Sequence, residues 1–301
     1  PARIEELLLT ETDQDIEIHR APYLRIFGVF FNHNRQPIFL RDEVRRALNE
    51  ATPKQAVVGE MLQGYGTTLD APLPDYLYRE ASGEEAKPEE DDETELEVPI
   101  NYVERARTIL EKRGWERDEE SGVYTLELEE ETQSLSIALT TVNTPELVQA
   151  AELIAESWRE VGADVELNVF DPTDITQSVI RPRRYEALLF GEVLGHEVDL
   201  YAFWHSSQRT DPGLNVAQFA DIEADAILEK ARIELETEAR AQLFGEFVER
   251  VQSEQAAIFV YSPDFVYLVG HEMHNVDIHP VAEPSDRFDN IHEWYIETDF
   301  V

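Results

Sequence analysis

Residues 135–190 predict an α/β sheet. Residues 135–139 alternate apolar and polar side chains like a strand, and residues 164–170 alternate again. Between them Thr144-Pro145-Glu146 opens a helix whose apolar stripe is Leu147, Ala150, Ala151, Ile154 and Trp158, closed by Gly162. Strand, helix and strand with short joints make a βαβ unit, so the two strands are expected parallel with a right-handed crossover. A helix at about 173–180 and a strand over Ala187-Leu188-Leu189-Phe190 repeat the pattern.

The other elements follow in order. Residues 24–31 form an apolar run stopped by the turn-rich Asn32-His33-Asn34-Arg35-Gln36-Pro37. Asp42 is the expected cap of a helix carrying Val44, Ala47, Leu48 and Ala51 on one face. Thr52-Pro53 reads as N-cap and first helical residue of a second helix, running through Val57, Val58, Met61 and Leu62 to Gly64. Two later helices, at about 222–235 and 237–254, make an αα-hairpin around Glu236-Thr237. The first is expected to bury Ala226, Ile227 and Ala231, the second Leu243, Phe247 and Val251. The chain then turns β-rich at 257–261, 265–269 and 294–296, and no repeat of fixed period is present.

Composition narrows the function. With 301 residues the prior is two domains or one large one, and 42% hydrophobic residues suffice for a core. No apolar run reaches the roughly 18–20 residues of a membrane span. Zero cysteine removes thiol catalysis, disulfides, iron–sulfur clusters and thiolate zinc sites together. The 64 acidic against 25 basic residues leave a formal charge of −39, which repels phosphate and speaks against nucleic acid and anionic lipid. Such a surface serves solubility or, more sharply, adaptation to high salt. Residues 80–97 hold ten acids and Lys87 alone among basic residues, which reads as a solvated loop; the spacing does not follow an EF-hand. The chain opens Pro1-Ala2-Arg3 without Met, so a removed signal segment or a piece of a longer chain is expected.

No catalytic constellation emerges. The glycines fit neither the dinucleotide nor the P-loop spacing, and no nucleophile elbow is present. His271-Glu272-Met273-His274 has its histidines three apart and follows strand-like residues, against the helical four-residue spacing of a zinc motif. Carboxylate pairs can be drawn anywhere among 64 acids, so glycosidase-like chemistry has no specific signal. What stands out is the aromatic and polar segment 190–208, just after a buried strand, followed by Gly213-Leu214-Asn215. Ligands of open α/β sheets lie beyond the carboxyl ends of strands, and an apolar wall with a few polar groups suits a cleft. Burial of large aromatics against a helix explains the same composition equally well.

At this point the sequence resembles the bacterial family 5 extracellular solute-binding proteins, which bind peptides or nickel for ABC importers. The resemblance is carried by Phe30-Phe31-Asn32-His33-Asn34 with Pro37, and by Val44-Arg45-Arg46-Ala47-Leu48. It continues through Gly64-Tyr65-Gly66, Ala71-Pro72-Leu73-Pro74, Gly114-Trp115, Leu139-Thr140-Thr141 and residues 185–191. Its most specific stretch is 199–207 with Gly213-Leu214-Asn215, and it closes at Pro284-Ser285-Asp286-Arg287-Phe288 and Glu293-Trp294-Tyr295-Ile296.

The resemblance implies a periplasmic-binding-protein-like, type II-like clamshell, of which this chain is the C-terminal portion. Residues 1–24 would belong to or lead from a first lobe, 25–260 would be the second α/β lobe with its acidic loop at 80–97, and 261–301 would return into the first lobe. Peptides would lie extended between lobes, bonded through their backbone to Gly191, Glu192, Val193 and Leu194, with Trp204, His205 and Asn215 lining the cleft. Relatives commonly hold the peptide amine with an acid three positions after a Trp. Here Glu192 stands at the Trp and Gly195 at the acid, leaving Glu197 and Asp199 as substitutes. The implied partners are a peptide ligand and permease subunits, with no nucleic acid, no cofactor and no resident metal. Membrane contact would come only through a lipid anchor or the permease, outside this segment, and the location would be extracytoplasmic. A nickel or metal-chelate binder using His196 or His205 is the alternative within the family. A carboxylate-dependent hydrolase, or a scaffold whose acidic loop docks a basic partner, are the alternatives outside it.

Overall fold

The computed structural model describes residues 16–78, 101–129 and 131–296; the acidic stretch at 80–97 lies outside them. The expected βαβ unit is present. Strand β7 (Ser136–Val142), helix α3 (Pro145–Val161) and strand β8 (Asp164–Phe170) follow one another, and β7 pairs with β8 in parallel from Ser136↔Asp164 to Val142↔Phe170. The third strand, β9, is longer than its apolar run suggests: it covers Ala187–Val193 and also lies parallel to β7.

The rest of the main sheet is antiparallel. Strand β2 (Arg25–Phe31) pairs with all of β9, from Arg25↔Val193 to Phe31↔Ala187. The two strands expected near the C-terminus are one, β10 (Ala257–Gly270). Its first half pairs with β2 and its second half with β1 (Ile16–Pro22), so the full order is β1-β10-β2-β9-β7-β8. Short β3 (Gly66–Thr68) joins β10 opposite Pro263, where a proline needs no donor if its N faces away from the ladder. A separate hairpin sheet holds β4 (Glu116–Arg117), β5 (Tyr124–Glu127) and β6 (Thr132–Ser134), and β11 (Met273–His274) pairs with β12 (Tyr295–Ile296).

Alternation along β2 sends successive phenylalanines to opposite faces. Phe31 packs on Phe39 (ring centroids 4.5 Å apart), just ahead of α1 (Asp42–Ala51). Helix α3 is fastened to α1 by polar bonds: Trp158 Nε1 donates to Leu48 O (3.1 Å) and Ser157 Oγ to Ala51 O (2.5 Å). Helix α2 (Tyr102–Glu111), capped by Asn101, packs on α1 and buries Ala106 and Leu110. Phe30 turns the other way, to Trp204 of the short α4 (Leu200–Trp204). Beyond Trp204 stand Phe219 and Phe247, the latter on α6 (Thr237–Glu254), which pairs with α5 (Ile222–Ile233) as the expected hairpin. One contiguous hydrophobic core fills both layers.

Several local details differ from expectation. Asp42 is the first residue of α1 rather than its cap, which is Arg41. The second helix starts at Lys54, after Pro53 as its cap, and continues as a π-helix over Val57–Met61; the helix expected at 173–180 is present as a shorter π-helix over Thr176–Ile180. Helix α5 buries Ala224, Leu228 and Ala231, not Ala226, because the hairpin presents the face one step round the helix.

Candidate binding groove

The last residues of β9 form an open edge. Asn32 N donates to Glu186 O and Leu194 N to Leu24 O, both pairs in the same antiparallel register. Bonded pairs alternate in such a ladder, so the even residues of β9 bond to β2 and the odd ones face the other way. On that other side the ladder with β7 stops at Thr140↔Leu188, and Leu189 O accepts from Thr141 Oγ1 (3.0 Å). Gly191 and Val193 therefore carry backbone N–H and C=O groups past the end of β7. That is the requirement for pairing with an added extended chain.

A groove of about 520 Å³ opens at this carboxyl end of the parallel strands. Its walls include Tyr23, Arg25, Phe27, Tyr65 and Tyr261, with Thr144 and Leu147 from the start of α3. Phe27 and Tyr261 stack face to face (4.6 Å, 10°). The Phe27 ring lies over Gly191, where an added Cβ would sit 2.6 Å from Cε1, so the position admits only glycine without displacing the ring. The Arg25 guanidinium rests on the Tyr23 ring at 4.0 Å, and Arg20 on the Tyr65 ring at 4.1 Å. Two acids complete the lining, Glu146 and Asp264. Burial raises the Asp264 carboxyl above its ordinary range, with Arg20 opposing the shift. Burial likewise pushes the Tyr261 phenol up, with Glu146 adding to the shift.

The residues singled out from sequence fall in different places. Gly191 and Val193 lie on the open edge; Leu194 is buried, its N–H bonded to Leu24 O. Glu192, opposite Ile26, is 3% exposed, and neither carboxyl oxygen has a hydrogen-bond partner among the described residues. Burial alone pushes its carboxyl up to about 8. Glu197 and Asp199 line a different cavity, of about 320 Å³, against α5 and α6, where Asp199 pairs with Arg232 (3.1 Å).

The cleft-lining expectation for Trp204 and Asn215 is corrected, because both are sealed in the helical layer at 1% and 0% exposure. Asn215 Nδ2 donates to Trp204 O, His205 O and Phe219 O, and its Oδ1 accepts from Phe219 N. It ties the end of α4 to the loop before α5. His205 is also buried; its Nδ1 accepts from Ser207 N (3.1 Å), and its ring stacks on Tyr201 (4.0 Å). Aromatic packing against a helix is thus what the 199–215 segment records. The groove walls Tyr23, Arg25, Phe27, Tyr65 and Tyr261 escaped the sequence reading. Their signal was the i, i+2, i+4 spacing of Tyr23, Arg25 and Phe27, which puts three flat or charged groups on one strand face.

Comparison with known proteins now places the chain. It matches the bacterial extracellular solute-binding proteins, family 5 Middle, over residues 1–221, and it belongs to that family. It is similar to the oligopeptide-binding protein AppA of Bacillus subtilis, 21% identical over 268 residues, covering 88% of this chain and 46% of AppA. It is also similar to heme-binding protein A of Haemophilus influenzae, 25% identical over 248 residues, covering 80% of this chain and 40% of that protein. The chain thus spans less than half the length of these curated relatives. Among solved structures it resembles AppA in complex with a nonapeptide (TM-score 0.73, 19% identity, 98% of this chain and 55% of that one). NikZ from Campylobacter jejuni in complex with Ni(L-His) is nearly as similar (TM-score 0.70, 19% identity, 97% and 56%). The fold is therefore that of about half a periplasmic binding protein, as the resemblance implied.

Proposed function

We propose that this chain is the second lobe of an extracytoplasmic substrate-binding component of an ABC importer, which takes oligopeptides between two lobes and delivers them to permease subunits. The observation that carries the reading is the open backbone edge at Gly191 and Val193 beside an aromatic groove. Main-chain bonds along such an edge hold any peptide, and an apolar groove with few polar groups accepts varied side chains. The protein then performs no chemistry of its own. Ligand between the lobes stabilises the closed state, and closure is the signal the permease reads. The paired strands β1 and β10 run beyond the rest of the sheet, which suits 1–24 and 261–301 as the crossings to a first lobe. No helix among the described residues is long and apolar enough to cross a membrane, so a lipid anchor or the permease would supply membrane contact.

Nickel and heme are named for relatives of this chain. The groove's aromatic walls, single Arg and two acids suit a peptide better than a bare metal ion. Native mass spectrometry of the complete two-lobed protein, purified without refolding, tests the choice. A ladder of co-purified masses fitting short peptides is expected; one discrete adduct with a metal isotope pattern or a porphyrin mass would replace the peptide by that ligand.

A further inference from the structure

Three charged side chains line the groove, and two of them are answered locally. Asp264 lies in the field of Arg20, and Glu146 sits in the first turn of α3, where a helix N-terminus favours an acid. Arg25 is different. Among the described residues its buried Nε has no hydrogen-bond partner and no carboxylate forms an ion pair with it, while its guanidinium rests on the Tyr23 ring. Its charge is therefore available within the groove to a carboxylate from a ligand. Its place is equally specific. Arg25 stands opposite Val193 at the end of the open edge, on the strand face it shares with Phe27.

We propose that Arg25 is a specificity-determining residue that receives a carboxylate of the bound peptide, beside an apolar or aromatic side chain lying against the Phe27–Tyr261 stack. The inference rests on the peptide reading above and deepens it: the preferred ligands carry a negative charge even though the protein as a whole repels one. A guanidinium pre-set on an aromatic ring has less freedom to lose on binding, and its fork matches a carboxylate. Fixing its plane on Tyr23 selects the direction from which that carboxylate arrives.

The test uses the complete two-lobed protein and a defined pool of synthetic tri- to nonapeptides. The pool is made once as free acids and once as C-terminal amides, each with matched Glu-containing and Gln-containing members. Retention is read by native mass spectrometry. Wild type should favour carboxylate-bearing members over their neutral matches by about ten- to a hundred-fold, the range of a charge-assisted hydrogen bond. Whether free acids or Glu-containing amides are enriched tells a terminal carboxylate from a side-chain one. Arg25→Gln should erase the preference while neutral members still bind. Arg25→Lys should restore part of it, which separates lost charge from lost fold, and Glu146→Gln should strengthen it. Peptide retention with no preference in wild type, or a preference that survives Arg25→Gln, overturns the role of Arg25 and leaves the peptide reading standing. A wild type that retains no peptide at all overturns the peptide reading, and the role of Arg25 falls with it.

Discussion

Glu192 is the residue whose environment departs furthest from its chemistry. It sits in a strand between two open-edge positions, 3% exposed, and no described residue hydrogen-bonds either oxygen. Desolvation raises its carboxyl from 4.5 to about 8, so the folded state holds a proton that the unfolded state has released. Its contribution is then fully present below about pH 4.5 and is lost as pH rises toward 8. Glu192→Met, which keeps the length and removes the charge, should flatten this slope and gain roughly 5 kcal/mol near pH 8.5. Urea unfolding of wild type and Glu192→Met at pH 5 and pH 8.5 checks it: the same change in stability between the two pH values in both proteins would mean the carboxyl finds water or a partner. Gly191 makes a second residue-scale prediction. Gly191→Val forces the Phe27 ring off its seat, so peptide affinity should fall by about ten-fold or more, along with roughly 1–3 kcal/mol of stability. Unchanged binding would show that the ring is free to move.

At the scale of elements, legibility followed how local the cause was. Helix α3 and strands β7 and β8 were readable because their burial is written in their own periodicity. The end of β9 was not, since Gly191, Glu192 and Val193 lack a strand pattern and are held extended by pairing with β2, distant in sequence. Ser262-Pro263-Asp264 looks like a turn, yet β10 passes straight through it because β3 and β1 pair along it there. Helix α2 carries only two buried apolar residues, too weak a stripe to announce itself. The site suffered most: large aromatics mark 199–208, but Trp204 belongs to the core, while Arg25 reads only as part of the apolar run 24–31 and Tyr23 lies just before it. Asn215 gives the element-scale prediction. Asn215→Ala leaves the carbonyls of Trp204, His205 and Phe219 without their donor, so urea unfolding should show a loss of roughly 2–4 kcal/mol with the groove's ligand preference intact. A stability change within error would remove Asn215 from the architecture.

The whole molecule is governed by its charge of −39. Repulsion among exposed carboxylates opposes the compact state, and salt shortens its reach from about 10 Å at 0.1 M to about 3 Å at 1 M. Raising KCl from 0.1 to 2 M should therefore lift Tm by roughly 5 °C or more, whereas a flat or falling Tm would show that the surface is already balanced. Against that net charge, Arg25 stands beside the open strand edge with no ion pair to a described carboxylate. Hydrogen–deuterium exchange of the complete protein, with and without the free-acid peptide pool, tests most directly whether peptide binds along that edge. Slowed exchange at the amides of Gly191 and Val193 and around Arg25 is the predicted result. Protection confined to the cavity of Glu197, Asp199 and Arg232, with 191–193 unchanged, would put the ligand on the other side of the lobe and contradict the account.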